Sequence, residues 1–584
     1  LEKSHKGNKI DSNRIVNLYF YMKKIVLSFW LILNIQLNAI EPEKIDSVHW
    51  PMQVRLPISG TFAEFRTSHL HMGCDYKTYG INGFSVLSAF DGSIASMSYA
   101  NNGYGLSVNL FSPSLKIYAK YAHLNDLSGD INGLDELKTA LLLLGKPEGF
   151  QVKLKPEYFK VKSKDRIARS GETGSGISHL HLELFDSKEY FNPLSFINYK
   201  QEDKNPPVIQ SIFIDSDNGY SKNFTTVGLS KSSYSFTNSE EVKLSGKVKF
   251  KVAGFDRISS KNQNNVYAVR LKINDLVVFE RNFKRMTYKE AADKDSLYDM
   301  NKSSLSPAFY VYNLYDDKNS HSIDLNNVDE GKQMLVEVSL FDASGNESSL
   351  KFNFLTIKNE NYVKPKPTTK FSSEDEKLSL NFSKNNIIGD GAVKITKLDK
   401  IPEEVLLPNL IPSGNAYQVT AYNFSWKGAA EGTFTGSFSD KDEALYLYDS
   451  VLNRWVPLAG KKSANSISFG FGRLGILSIM RDKSPPTITY PYLIYRHYNL
   501  PEIQDSSMVE RFYHASDRGS GISNRIEVLL EGSPYPFVFD RDRNFIKLEI
   551  AKSLKSIKNP LLIQVRVQDN AGNKSNWFTD IVNL

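Results

Sequence analysis

A single cysteine, Cys74, among 584 residues excludes an intramolecular disulfide, so stability must come from core burial or from a metal. Cys74 also does not stand where a lipidated cysteine would follow a signal. No apolar run is long enough to cross a bilayer, which takes ~20 residues; the longest, Ile25 to Leu37 (IVLSFWLILNIQL), has about 13. Charge of one sign is scarce as well. Of the formal +7, residues 1–39 hold +4, from six Lys or Arg against Glu2 and Asp11. The remaining +3 or so, with no basic stripe among aromatics, excludes a nucleic-acid partner. Low-complexity tracts are absent, and helical periodicity is rare. What is abundant is aromatic: 30 Tyr and 35 Phe, 12% with Trp. Together with Val, Ile, Ser and Asn runs, they favour strands. A chain this long needs several cores, at a prior of ~150 residues per domain. The expected class is mainly β.

Lys23 and Lys24 precede the apolar run, and Leu37-Asn38-Ala39 offers a small-residue cleavage site after it. Residues 1–39 therefore read as a secretion signal, with a retained anchor as the rival. Met22 stands just before the lysines, so residues 1–21 read as an over-extended start. The expectation is export to the periplasm, the cell envelope or the medium, with no stable membrane insertion after cleavage.

From about residue 47 to 200, strand-length segments such as Phe84–Ala89, Ser107–Phe111, Ile117–Tyr121 and His179–Phe185 alternate with Gly/Asn/Ser turns. The one convincing helix, Leu134 to Leu144 (LDELKTALLLL), is apolar enough to expect packing on the sheet. Asn205-Pro206-Pro207 and Ser484-Pro485-Pro486 mark boundaries, and the two stretches of chain beyond them are similar. Both run from Pro-Pro to a strand ending in Asp256 or Asp517. Each then has a strand pair, and last Asp342-Ala343-Ser344-Gly345-Asn346 or Asp569-Asn570-Ala571-Gly572-Asn573. This resembles a duplicated bacterial immunoglobulin-like β-sandwich. The two Asp-to-Asn loops have the composition of tight turns, with calcium loops as the alternative. Between the copies lies a Pro-rich charged linker (KPKPTTKFSSEDEK) and a further β-rich unit, in which Trp455 reads as core. The divisions are thus 1–39, 40–204, 205–358, 359–482 and 483–584.

Histidine is also scarce, at ten, and five of the ten fall in three short motifs. In His69-Leu70-His71-Met72-Gly73-Cys74-Asp75, a regular strand would put His71, Gly73 and Asp75 on one face. Gly73 would leave room for a metal, and Cys74 would point away into packing. Ser178-His179-Leu180-His181-Leu182-Glu183-Leu184 alternates, with both histidines and Glu183 on one face and leucines on the other. Tyr121-Ala122-His123-Leu124 ends an apolar strand. Each motif alone has an ordinary structural reading. Together they offer three ligands and spare histidines, which suits an open site better than a closed structural one.

The order H-x-G-x-D, A-H-L, Gly171-Glu172-Thr173-Gly174 and H-L-H resembles the lysostaphin/LytM-type zinc endopeptidases over about residues 55–198. The stretches TFAEFRTSHLHMGCDYKT and VKSKDRIARSGETG look like sequence of that family. The resemblance implies that residues 40–204 form an antiparallel sheet of duplicated-hybrid-motif type. It implies one Zn²⁺ held by His71, Asp75 and His181, with His123 and His179 as catalytic histidines. It also implies cleavage of peptide bonds in peptidoglycan stems or cross-bridges. One of the two histidines would act on the water and the other on the oxyanion or leaving amine, in either assignment. His69 would be a surface residue or touch substrate, and Glu183 would back the ligands. The chain departs from the family in Ile177-Ser178 before H-L-H, a loop about one residue short, and a longer Asn125–Phe159 segment. The β-sandwich modules would be spacers or contacts to other envelope components. The alternatives are a non-catalytic wall-binding scaffold or regulator of wall hydrolases, and an adhesin-like surface protein.

Overall fold

Apolar and polar residues alternate over most of the chain, and strands are the result. The computed structural model describes residues 48–584 apart from 67, 128, 145–148, 175–176, 198–202, 239, 259–261, 306–307, 317–319, 359–367, 437–442, 451–453, 464, 491–507 and 541–543. The signal expected over residues 1–39 and the first part of the Pro-rich linker lie outside the described residues. The fold is mainly β and its sheets are antiparallel. The exceptions are the pairings of Ser233–Phe236 and Val242–Leu244 with Glu347–Thr356, which are parallel. Among the described residues no helix is long and apolar enough to cross a membrane.

The first segment contains β1 (Ile58–Gly60), β2 (Glu64–Phe65), β3 (Leu70–His71), β4 (Cys74–Lys77), β5 (Ser85–Leu87), β6 (Gly92–Ala100), β7 (Ser107–Ser112), β8 (Ile117–Ala122) and β9 (Leu124–Asp126). Helix α1 (Leu134–Leu143) follows, then β10 (Gly149–Lys153), β11 (Lys160–Val161), β12 (Arg166–Ser170), β13 (His179–Phe185) and β14 (Glu189–Phe191). The main sheet runs β1-β4-β13-β8-β7-β6-β10, with β11 on β6 and β14 on β13. A second sheet has the order β5-β12-β9, and β2 pairs with β3 as a hairpin. The leucines of β13 explain its central place: Leu180, Leu182 and Leu184 are all fully buried, each stabilising the fold by roughly 1.5–3 kcal/mol. His179, His181 and Glu183 take the opposite face.

Helix α1 departs from the sequence expectation. Of its residues only Leu134 is buried, while Leu143 is 82% exposed and Leu144, just beyond it, 75%. Consecutive leucines step about 100° around a helix, so a run of four cannot face one side. The rest of that longer segment is ordered by β9, which pairs with β12, and β10, which pairs with β6.

Residues 208–356 form a twelve-stranded sheet and lend Arg285–Thr287 to the main sheet, where it pairs with β14; 370–482 form two five-stranded sheets, and 487–582 two four-stranded sheets. Trp455 is buried as expected, its Nε1 donating to the Val405 carbonyl at 2.7 Å. The first segment is not packed alone. Phe62, Ala63, Phe65, Leu70 and Met72, in and around the β2–β3 hairpin, belong to one buried cluster with Ile209, Phe250, Leu340 and others of residues 208–356. Asn265 binds the Phe62 carbonyl (2.9 Å) and Thr61 Oγ1 (3.0 Å), and Tyr298 Oη donates to the Ala63 carbonyl (2.8 Å).

Candidate metal centre

Register brings the histidines together. In the main sheet His181 of β13 stands opposite Asp75 of β4 on one side and Ala122 of β8 on the other. His123 follows Ala122 directly. The β2–β3 hairpin supplies His71. The H-x-G-x-D motif is not one regular strand, since β3 and β4 are separated at Met72 and Gly73. Gly73 is required for a different reason from the one its motif suggested. A Cβ there would lie 2.4 Å from the Leu182 carbonyl oxygen and 3.0 Å from His181 Cε1, so glycine admits the neighbouring strand and its ring. Gly60 acts similarly, because a Cβ would come 2.5 Å from Asp75 Oδ2.

His71 Nε2, Asp75 Oδ1 and His181 Nδ1 form a triangle with sides of 3.0, 2.9 and 2.9 Å. The outer nitrogens fix the tautomers. His71 Nδ1 lies 2.8 Å from the Thr61 carbonyl, which can only accept, so that nitrogen carries the proton. His181 Nε2 lies 3.1 Å from Glu183 Oε1. Burial would raise the Glu183 carboxyl, but His181, Lys120 and Tyr104 outweigh it and hold it at about 2. Glu183 is therefore an acceptor, and His181 Nε2 is the donor. Two imidazole lone pairs and a carboxylate oxygen consequently face one point, the arrangement a divalent metal ion satisfies. Without such an ion a proton serves: burial opposes charge on His181, yet Asp75 and Glu183 push it up to about 9. Burial likewise opposes ionisation of Asp75, but His71, His179 and His181 keep it well below the usual carboxylate range. All three residues are buried, and their donor atoms could hold a metal ion.

Two further imidazoles border this triangle. His179 Nδ1 donates to the Ile177 carbonyl at 2.7 Å, and its Nε2 lies 3.6 Å from Asp75 Oδ1. His123 Nδ1 donates to the Thr173 carbonyl at 3.0 Å. The His123 and His179 ring centres are 4.5 Å apart. Burial, with His179 and His181 nearby, lowers His123 to about 3, so it is neutral. Its backbone has φ +60°, a left-handed conformation uncommon for a residue with a side chain,. Such a conformation persists only where the surroundings hold it, here by the donation of its N–H to the Tyr104 carbonyl at 2.9 Å,.

His69 is exposed, with its Nδ1 2.8 Å from Ser68 Oγ, and takes no part in the triangle. Cys74 is buried, and burial pushes its thiol well up. Several supporting residues had no motif to mark them. Thr61 holds His71, and Arg66 bonds Glu64 and reaches to 3.7 Å from Asp75 Oδ2. Lys120 lies 3.2 Å from Glu183 Oε2 and 3.8 Å from the centre of the Tyr104 ring, whose hydroxyl also donates to Glu183. A lysine inside the apolar run Ile117–Ala122 was the one available signal, since such a charge needs a partner.

The Asp-to-Asn loops are tight turns. Asp342 Oδ1 accepts from the Ser344 and Asn346 amides, Asp569 Oδ1 from the Asn573 amide, and Gly345 and Gly572 have positive φ. In each loop the aspartate meets two others: Asp203 and Asp256 with Asp342, Asp482 and Asp517 with Asp569. In each trio, oxygens lie within 4.8 Å of one another.

No protein-family model matches the chain, and no curated protein does. Among solved structures, it is similar to the catalytic domain of the antimicrobial peptidase lysostaphin from Staphylococcus simulans, crystallized in the absence of phosphate. The identity is 22%, over 20% of this chain and 66% of that one, with a TM-score of 0.14. The chain thus spans slightly less than two thirds of that domain's length. At that score the likeness is a local one, and the functional reading rests on the geometry of the site.

Proposed function

We propose that the chain is an exported zinc-dependent endopeptidase that hydrolyses peptide bonds of peptidoglycan stems or cross-bridges. The observation that supports this most is the pairing of a three-donor triangle with two more imidazoles beside it. Two nitrogens and one carboxylate oxygen suit zinc, and a three-ligand set is that of a catalytic site, leaving a position for water. When bound there, zinc would supply a water acidified towards pKa ~7 and a Lewis acid for the scissile carbonyl.

The chain's own groups divide the remaining work. With Nδ1–H committed to the Ile177 carbonyl, His179 leaves Nε2 as its site for a proton. It accepts the proton of the attacking water and passes it to the departing nitrogen. His123 is held neutral, and its Nδ1–H is committed to Thr173. Its Nε2 is an acceptor that orients the water or a substrate N–H. Glu183 and Thr61 keep the two ligand rings in the tautomers the metal requires.

The peptidase unit of this reading is residues 40–204. Units at 205–358, 359–482 and 483–584 follow; separate sheets within 370–482 and 487–582 support the later divisions, while Arg285–Thr287 of the second unit pairs with β14 of the first.

The test is incubation of purified protein with peptidoglycan, identifying new peptide termini with and without chelator. Chelator-sensitive cleavage is expected. His71→Ala should lose both zinc and activity, and His179→Ala should lose activity while keeping zinc. Zinc binding without cleavage of any wall preparation would overturn the peptidase in favour of a wall-binding scaffold.

A further inference from the structure

Both bordering imidazoles are held through Nδ1 by nearby backbone carbonyls, Thr173 for His123 and Ile177 for His179. Thr173 is pinned from the sheet side: its Oγ1 accepts from the Leu106 amide at 2.9 Å and donates to the Leu124 carbonyl at 2.8 Å. From the opposite end of the chain, the last module grips the residues beside these carbonyls. Lys547 Nζ lies 2.7 and 2.8 Å from the two carboxylate oxygens of Glu172, the residue before Thr173. Phe512 sits at Gly80 together with Ile177. A Cβ on Gly80 would be 3.1 Å from Phe512 Cζ and 3.4 Å from Ile177 Cγ2.

The grip belongs to one sheet face. In the pairing of Met508–Ser516 with Phe545–Ala551, Phe512 stands opposite Lys547 and Glu510 opposite Glu549. Residues two apart on a strand share a face, so all four side chains project together. Lys547 is 5% exposed, and its ammonium also meets Glu510 at 3.0 Å and Glu549 at 2.8 Å. Burial opposes its charge, but the three carboxylates outweigh burial and raise its pKa. An exposed ion pair contributes little. Here a single buried cation gathers two glutamates of its own module and the one next to Thr173.

We propose that Lys547 is a positioning residue for the site. Acting through Glu172, with Phe512 and Ile177 both seated at Gly80, it fixes the two carbonyls that set the tautomer and aim of His123 and His179. The assignment rests on the peptidase reading above. It makes the last module part of the apparatus for cleavage, where the sequence left it as a spacer or a contact to the envelope.

The experiment uses the full chain and three variants: Lys547→Met, Lys547→Arg and Glu172→Gln. Glu172→Gln removes only the far partner, leaving Lys547 with Glu510 and Glu549, so it reports on the link even if Lys547→Met folds poorly. Three quantities are read: bound zinc, kcat and KM on a peptidoglycan peptide, and hydrogen–deuterium exchange at the imidazole C2 of His123 and His179 by mass spectrometry. For Lys547→Met and Glu172→Gln the expected result is a ~10–100-fold fall in kcat with KM within about threefold. Zinc should stay at about one per chain, and imidazole exchange should change several-fold at both histidines. Lys547→Arg should keep zinc and return kcat and exchange to wild type. Wild-type kcat and exchange in Glu172→Gln would overturn the proposal, as would lost activity with exchange at both histidines unchanged. A wild-type chain that cleaves nothing would overturn the peptidase reading instead, and the exchange data would still decide the clamp.

Discussion

Glu183 is 1% exposed and takes hydrogen bonds from His181 and Tyr104 while pairing with Lys120. It is the residue through which the sheet orients His181, one corner of the triangle that could hold a metal ion. Glu183→Gln keeps the shape but removes the charge that favours His181 in its Nε2–H form. Metal affinity should fall ~10–100-fold, read by competition with a chromophoric chelator. Unchanged affinity would make Glu183 a packing residue only. The five clustered residues His71, Asp75, His123, His179 and His181 stood out in the sequence because their types are rare and they fall in three short motifs. Glu183 was legible as a support, but the backbone supports were not. Thr61, Thr173 and Ile177 act through backbone carbonyls, which any residue type could supply, so the tautomers could not be read in advance. The need for Gly73 was visible, but its cause, the approach of Leu182, was not.

Strand elements were the most readable part, and β13 begins and ends where alternation placed it. Helix α1 shows the limit of such reading. Apolar content identified the helix, but four successive leucines carry no information about a partner, and two that end the run are exposed. Within residues 208–356 the pattern also hid an ion cluster. Lys251, on strand Lys247–Phe255, meets Asp299 at 2.7 Å and Asp215 at 3.1 Å, and Lys302 meets Asp299 at 3.0 Å. Burial would raise both carboxyls, but Lys251, with Lys302, outweighs it and holds them below their usual range. Their folded pKa values lie below the unfolded value of ~3.9. Their stabilisation is therefore complete above about pH 4 and drains away as pH falls through the folded values. Asp299→Asn should cost ~3–5 kcal/mol at neutral pH, since it leaves a buried cation short of a partner. It should also flatten the acid limb of a plot of urea midpoint against pH. A variant with the wild-type acid limb would contradict this.

At the scale of the whole molecule, the first segment depends on chain far beyond it. The hairpin carrying His71 is buried against residues 208–356, and Thr61, which holds His71, is itself bonded by Asn265. A chain ending at residue 204 would leave Phe62, Phe65 and Leu70 without their partners. It should bind zinc at least tenfold more weakly than the full chain or fail to fold, by chelator competition and circular dichroism. Wild-type affinity in the short chain would show that the hairpin holds its own shape. The packing of the first segment on residues 208–356 was not readable, because contacts between distant residues leave no local pattern. These separations also order events in time. The Tyr298–Ala63 bond joins residues 235 positions apart and the Lys547–Glu172 bond residues 375 apart. During synthesis, the segment that emerges first therefore waits for residues far downstream before these contacts can form. Any chemistry that the triangle supports would then be silent in a partly made chain and begin only once those distant partners have arrived.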